Sequence, residues 1–222
     1  MKKKYVYFLA GTFVLSCFIF VYLKNKKNKK PMIKNVDFKM GNDITKIDNL
    51  IFSMPVTKFT DYSVIIVFGG INYATPTWML SQVPKELLSK AIFVFAPYTM
   101  SYANVSQKIN DFIAKNKLLI KDTSVLGFSA GALNVQKINS KSFKLVGLID
   151  PSTRSEYLNL PFTNNAKIVY NDSNWGSLPQ IKSILPKLAD TIKSSGGDSE
   201  KVSLSHDKIP KYFFSKYKDL IA

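Results

Sequence analysis

Three residue types that often build functional sites are nearly missing from this chain. Its 222 residues contain one cysteine (Cys17), one histidine (His206) and one arginine (Arg154). A single cysteine excludes a disulfide bond within the chain. One cysteine with one histidine also excludes a zinc site of the usual Cys/His kind. We expect neither a metal nor an organic cofactor.

Acidic residues are also scarce, because 31 basic side chains face only 15 acidic ones and leave a net charge of +16. Half of this surplus belongs to eight lysines within residues 2–4 and 24–30, which flank one apolar segment. The other lysines are scattered, and lysine lacks the planar fork that arginine uses to read bases. The charge therefore predicts a solvated, membrane-compatible surface and no nucleic-acid partner.

The apolar segment Tyr5–Leu23 has 19 residues without a charge, close to the roughly 20 that a helix needs to cross a bilayer. A cleaved signal peptide and a lipoprotein signal with its cysteine at Cys17 are alternatives, but the segment stays apolar through Leu23. We favour an uncleaved single-pass anchor, with the side of the membrane open because lysines flank both ends. The predicted organisation is a basic N-terminus (1–4), the anchor (5–23), a lysine-rich linker (24–31) and one globular domain (32–222).

Apolar strands alternate with helices from Ser63 onward. The strand candidates are the runs 64–68, 91–95, 124–126, 145–149 and 167–170, and an amphipathic helix is predicted over 104–115. Strands that are apolar throughout are typical of a sheet covered on both faces. The fold class is therefore α/β, a mostly parallel central sheet with helices on both faces.

Other elements are less strongly marked. We predict edge strands at 33–38 and 47–52, a helix beginning near Pro84 and capped by Ser81, and a last strand at 202–204. A helix over 178–193 contains Pro186, which should kink or divide it. A further helix begins at Pro210.

The motif Gly127-Phe128-Ser129-Ala130-Gly131 follows the predicted strand 124–126 and precedes a predicted helix over 130–138. A G-x-S-x-G at such a junction is the signature of a nucleophile elbow, in which a strained serine presents its hydroxyl. The two glycines allow the strand and the helix to approach closely.

Polar residues follow the other strands, at the edge where α/β folds place their sites. Gly69-Gly70 ends the first buried strand, Asp150 and Asp172 follow two later strands, and His206 follows the last. A serine hydroxyl needs a base to accept its proton, and the base needs an acid to orient it. His206 is the candidate base, and either aspartate is a candidate acid.

With these residues in place, the chain resembles the α/β-hydrolase family over about residues 63–222, without a match to a subfamily. The resemblance rests on Gly127–Gly131, the strand followed by Gly69-Gly70, and the order serine, acid, histidine. It implies that Ser129 attacks, that His206 transfers the proton, and that Asp172 is favoured as the acid because the family usually places it there. Asp150 is the alternative.

The resemblance also implies an oxyanion hole made by the amide of Ala130 and that of Gly70 or Ile71. The implied activity is that of a membrane-anchored serine hydrolase acting on a small-molecule or acyl substrate through an ester, a thioester or, as a third candidate, an amide bond. A non-catalytic binding module of the same fold is the alternative. The sequence leaves the oligomeric state open.

Overall fold

The structure is a computed structural model and describes residues 42–72 and 74–221. The predicted anchor, the linker and the strand predicted at 33–38 lie outside these residues and stay predictions. Among the helices of the described residues, none is both long and apolar enough to cross a bilayer.

The centre of the domain is one eight-stranded sheet with the order β1-β2-β4-β3-β5-β6-β7-β8. β2 is antiparallel to both of its neighbours, and the pairings from β4 to β8 are all parallel. The strands are β1 (Asn42–Ile47), β2 (Leu50–Pro55), β3 (Tyr62–Phe68), β4 (Ile92–Ala96), β5 (Ile120–Phe128), β6 (Leu145–Ile149), β7 (Ala166–Tyr170) and β8 (Asp198–Lys201).

Helices cover both faces of the sheet. They are α1 (Pro76–Gln82), α2 (Lys85–Leu88), α3 (Tyr102–Asn116), α4 (Ala132–Val135), α5 (Pro179–Ser194), α6 (Ile209–Lys216) and α7 (Lys218–Ile221). Residues of α3, α4 and α5 are buried in the core of one face, and residues of α1, α2, α6 and α7 in the core of the other. The predicted mostly parallel α/β sheet with helices on both faces is confirmed.

The central strands form because every residue can be buried. All residues of β3, β4 and β6 are buried, and successive side chains enter the cores on opposite faces. Their apolar sequences explain why these three were predictable.

Two strand predictions were wrong. Residues 47–52 form a hairpin rather than one strand, because β1 ends at Ile47, Asp48 adopts a positive φ of 52°, and β2 begins at Leu50. The last strand is β8, which precedes the apolar run predicted at 202–204.

Two helix predictions also need correction. The predicted helix near Pro84 is present as α2, but its N-cap is Pro84 rather than Ser81, which lies inside a separate helix, α1, capped by Thr75. Pro186 does not divide α5, which runs without interruption from Pro179 to Ser194.

The topology fixes where a site can form. The carboxyl ends of β3, β5 and β6 lie at one edge of the sheet because these strands are parallel. β1 runs in the same direction as β4, since β2 is antiparallel to both, so its first residue Asn42 lies at the opposite edge. The side-chain amide of Asn42 donates a hydrogen bond to the carbonyl oxygen of Leu88, which lies shortly before β4 in the chain.

Candidate active site

Ser129 lies at a sharp turn directly after β5. It is the first residue of a 3-10 turn, Ser129–Gly131, which leads into α4, so the helix predicted over 130–138 is shorter than expected. Its φ is +53°, a left-handed conformation that is uncommon for residues other than glycine. Such strain is typical of functional sites. The strand–turn–helix context predicted for a nucleophile elbow is present.

The glycines of the motif are required by close backbone contacts. A Cβ on Gly131 would lie 2.3 Å from the carbonyl oxygen of Gly69, and one on Gly127 would lie 2.6 Å from Cα of Ala132. Both distances are shorter than real Cβ contacts. The motif therefore fixes Ser129 against the end of β3 as well as at the end of β5.

His206 contacts both the nucleophile turn and a carboxylate. Its Nδ1 lies 2.5 Å from Oδ2 of Asp150. Its ring packs on Phe128, the residue before Ser129, at a centroid distance of 4.5 Å, and meets the edge of Trp175 at 5.3 Å. With Nδ1 facing Asp150, Nε2 is the ring nitrogen left to exchange a proton with another group.

The structure brings Asp150, and not the favoured Asp172, to the histidine. Asp150 follows β6 directly, has a φ of 38° and is fully buried. The carboxylate of Asp172 instead accepts a hydrogen bond from Lys201 at 2.8 Å. The preference for Asp172 as the partner of His206 is therefore corrected.

The reason for the difference lies in the chain after β7. Asn171 accepts a hydrogen bond from the amide of Ser173 through its own side chain and begins a 3-10 turn, Asp172–Trp175. Within this turn the carboxylate of Asp172 forms an ion pair with Lys201 of β8, the neighbouring strand of the sheet. The side chain of Asn171 therefore forms an Asx turn in this segment.

Three residues donate hydrogen bonds to Asp150, and the sequence did not indicate this role for them. Its Oδ1 accepts from the amide of Asn171 at 2.9 Å and from the indole N–H of Trp175 at 3.4 Å, and its Oδ2 accepts from the side chain of Asn174 at 2.8 Å. Asparagines in a turn are too common to mark such a role in the sequence.

Ser129 and His206 form no direct hydrogen bond in this structure, and His206 reaches the turn through its contact with Phe128. Within residues 42–72 and 74–221, the Ser129 hydroxyl bonds to no other group. Its carbonyl accepts from the amide of Ser152, which joins the turn to the segment that follows Asp150. Catalytic hydrogen bonds are often long in unliganded enzymes and tighten when substrate binds.

The predicted oxyanion donors have different surroundings. The amide of Gly70 already donates to the carbonyl of Ala74 at 3.0 Å, so Gly70 is not an available donor in this conformation. The amide of Ile71 has no partner among the described residues, and that of Ala130 belongs to the first turn of a helix, where amides lack an internal partner. A Cβ built on Gly70 would lie 3.3 Å from Oγ of Ser129, so this loop borders the hydroxyl.

Metal ligands are not gathered in this region. The described residues contain no group of three or more His, Cys, Asp or Glu side chains able to hold a metal ion.

Comparisons with known proteins identify the fold. No family model and no curated protein matches the sequence, whereas many solved structures match the fold. The siderophore hydrolase EstA from Aspergillus nidulans has a TM-score of 0.52 at 9% identity, covering 83% of this chain and 96% of its own.

Two further structures are similar to the same extent. A predicted CIB-like hydrolase from Thermoplasma acidophilum has a TM-score of 0.52 at 13% identity, with 80% of this chain and 95% of that chain covered. The thioesterase domain from the curacin biosynthetic pathway has a TM-score of 0.51 at 12% identity, with 82% and 98% covered. At such identities a comparison establishes the fold, and the chain has the α/β-hydrolase fold, with no subfamily assigned.

Proposed function

We propose that this protein is a serine hydrolase that cleaves an ester or thioester bond, with an amide bond as the third candidate. One observation carries the proposal. The buried Asp150 carboxylate contacts Nδ1 of His206 at 2.5 Å, and the imidazole packs on Phe128, the residue before a serine held at a φ of +53°. Positions of this kind hold the nucleophile, the base and the acid in acyl transfer.

The mechanism assigns one role to each group. Oγ of Ser129 attacks the substrate carbonyl carbon while Nε2 of His206 takes the hydroxyl proton. Asp150 holds the imidazole in the required tautomer and stabilises its charged form. The amides of Ala130 and Ile71 are the proposed donors to the oxyanion.

Collapse of the tetrahedral intermediate releases the alcohol or thiol, which receives the proton from His206, and leaves an acyl group on Ser129. Water, deprotonated by His206, then attacks this acyl-enzyme. The carboxylic acid is released and the hydroxyl of Ser129 is restored.

The structural neighbours support the class of bond. Their descriptions name a siderophore hydrolase and a thioesterase domain, and hydrolysis of an ester or thioester is consistent with both. The short connection after Asp150 supports a small-molecule or acyl substrate reached without a large lid, since only a 3-10 turn, Ser155–Asn159, lies between β6 and β7.

Turnover of p-nitrophenyl esters of graded chain length tests the proposal. We expect hydrolysis by the full chain and loss of at least about 10³-fold in kcat for Ser129→Ala and His206→Ala. The matched control is Ser173→Ala, which changes an exposed serine close to the same edge. The melting temperature of Ser129→Ala should stay near that of the native protein, whereas His206→Ala should melt at a lower temperature because it leaves the buried Asp150 carboxylate without its imidazole partner.

A non-catalytic binding module is the second candidate, and the missing Ser129–His206 hydrogen bond favours it. Such a module would keep the fold and bind a ligand at the same edge without turnover. A folded native protein that hydrolyses none of the esters, thioesters or amides offered would support this alternative over the hydrolase.

We also propose that Tyr5–Leu23 anchors the protein as a single-pass membrane protein. The support is the sequence itself, a run of 19 residues without charge that is flanked by lysines. We expect no nucleic-acid partner.

A further inference from the structure

The segment from Asn171 to Trp175, which we name the asparagine turn, connects the acid to the loop that carries the histidine. Its contacts to Asp150 come from the backbone of Asn171 and the side chains of Asn174 and Trp175. None of these three residues has a role in the mechanism proposed above.

The same turn holds the histidine loop. The carbonyl oxygen of Leu204, two residues before His206, accepts from the side-chain amide of Asn171 at 2.9 Å and from that of Asn174 at 3.1 Å. Asn174 therefore donates one N–H to the acid and the other N–H to the chain that positions the base.

The buried carboxylate explains why such donors are needed. Asp150 is fully buried, and a buried charge is costly unless it is paired and hydrogen-bonded. Its two oxygens have about four acceptor positions. Asn171 and Trp175 face Oδ1, whereas Asn174 and His206 face Oδ2, so the carboxylate is held in one orientation.

We infer that Asn174 is a positioning residue for the Asp150–His206 pair. It keeps Oδ2 of Asp150 directed at Nδ1 of His206 and fixes the His206 loop through Leu204, so that Nε2 carries the free lone pair. The inference depends on the proposed function for its kinetic effect, but the state of the imidazole is measurable without any substrate.

The test compares Asn174→Ala with Ser173→Ala in the full chain. Ser173 is the preceding residue in the same turn, its side chain is exposed, and its backbone amide is kept in the variant. We expect Asn174→Ala to lower kcat by about 10- to 100-fold, as for other outer partners of functional histidines, with KM changed less than about twofold. Ser173→Ala should match the native enzyme.

Nuclear magnetic resonance of ¹⁵N-histidine provides the second readout. His206 is the only histidine, so its signals need no assignment. In the native protein and in Ser173→Ala we expect a protonated Nδ1 in a strong hydrogen bond and an unprotonated Nε2. In Asn174→Ala we expect a mixture of tautomers and loss of the hydrogen-bonded Nδ1 proton signal.

Two results would overturn the inference. Native kcat with native imidazole signals in Asn174→Ala would show that Asn174 positions nothing, and a lower kcat with native signals would assign Asn174 to substrate contact instead.

If Asn174→Ala does not fold, Asn174→Ser retains a smaller donor and is measured in its place, with an intermediate shift of the signals expected. If the native protein hydrolyses no substrate, the proposed function fails, while the imidazole signals still test the positioning role.

Discussion

Asp150 and Asp172 follow neighbouring strands of the sheet and differ in what surrounds them. Asp150 is fully buried and is held by amide donors and by His206, whereas Asp172 forms an ion pair with the largely exposed Lys201. Surface ion pairs contribute little to stability. A buried carboxylate that orients an imidazole is, in contrast, needed for each turnover.

Matched substitutions of the two aspartates separate these roles. Asp150→Asn replaces the acceptor for Nδ1 by an amide and should lower kcat by about 10³- to 10⁴-fold through the wrong tautomer of His206. Asp172→Asn breaks only the pair with Lys201 and should leave kcat within about twofold. Ester hydrolysis by both purified variants checks this, and equal losses would contradict the assignment of the acid.

The sequence could locate these residues without choosing between them. Ser129, His206 and both aspartates follow strands whose carboxyl ends share one edge, so periodicity and strand order brought them together. The choice depends on the turn after β7, where the side chain of Asn171 bonds the amide of Ser173 and directs Asp172 toward Lys201. Local hydrogen bonds determine the conformation of that turn, and the pattern of apolar residues in the sequence does not predict them.

At the scale of the element, the turn between β5 and α4 is tightly packed against β3. A Cβ on Gly131 would contact the backbone oxygens of Gly69 and Phe68 at 2.3 and 2.5 Å. Backbone atoms of a central strand have no rotamer to change. The turn therefore tolerates no side chain at this position without moving Ser129.

Gly131→Ala should destabilise the protein by at least about 3 kcal/mol, because the added methyl group overpacks against backbone. The control is Gly176→Ala, where the nearest atom, the carbonyl oxygen of Ser173, would be 3.6 Å from the new Cβ. Its effect should be within about 0.5 kcal/mol. Urea denaturation measures both, and a stable Gly131→Ala variant with native activity would refute the packing argument.

β8 shows why one strand was misplaced. Its sequence, Asp198 to Lys201, is polar and offered no apolar run. Its side chains form hydrogen bonds with α6 and the residue that follows it: Glu200 accepts from Tyr212 and Lys216, and Asp198 accepts from Tyr217 at 2.7 Å. An apolar pattern does not predict a polar edge strand that is held by side-chain hydrogen bonds. β3, β4 and β6 were predictable because all of their residues are buried and most are apolar.

The contact between Tyr217 and Asp198 predicts a pH-dependent contribution to stability. The hydrogen bond from Tyr217 holds the pKa of Asp198 below its ordinary value, and burial raises the pKa of Tyr217, which stays protonated. The stabilisation is therefore fully present above the ordinary aspartate pKa of about 3.9 and is lost as the pH falls through the lowered value.

Tyr217→Phe should cost about 0.5 to 1 kcal/mol at pH 7, below the usual range for hydrogen bonds to charged groups, because the Asp198 side chain is 45% exposed to solvent. The difference from the native protein should shrink as the pH falls below about 4. Thermal unfolding between pH 3 and 7 measures it, with Tyr98→Phe at the opposite end of the sheet as control. A difference that grows on acidification would contradict the sign.

At the scale of the whole molecule, the site and the start of the described domain lie at opposite edges of the sheet. Ser129 and Asp150 follow strands that end at one edge, and Asn42 begins β1 at the other. The strands between them have about seven residues, which separates the edges by roughly 20 Å. The candidate site and the first described residue of the chain therefore lie at opposite ends of the strands.

The proposed anchor predicts how the full chain partitions. Tyr5–Leu23 should keep the protein in the membrane fraction after carbonate extraction, since it is long enough to span a bilayer. A variant with Val14→Lys and Ile19→Lys places two charges within the span and should be released. Extraction of the native protein by carbonate, or retention of the double variant, would contradict the anchor.

Labelling of the full chain with a fluorophosphonate tests the central claim most directly, because the probe reacts preferentially with an activated serine. Mass spectrometry of the product should show one adduct for each chain, located on Ser129 and absent from Ser129→Ala, whose melting temperature should be unchanged. A folded native protein that forms no adduct, or forms it on another residue, would contradict the assignment of Ser129 as the nucleophile.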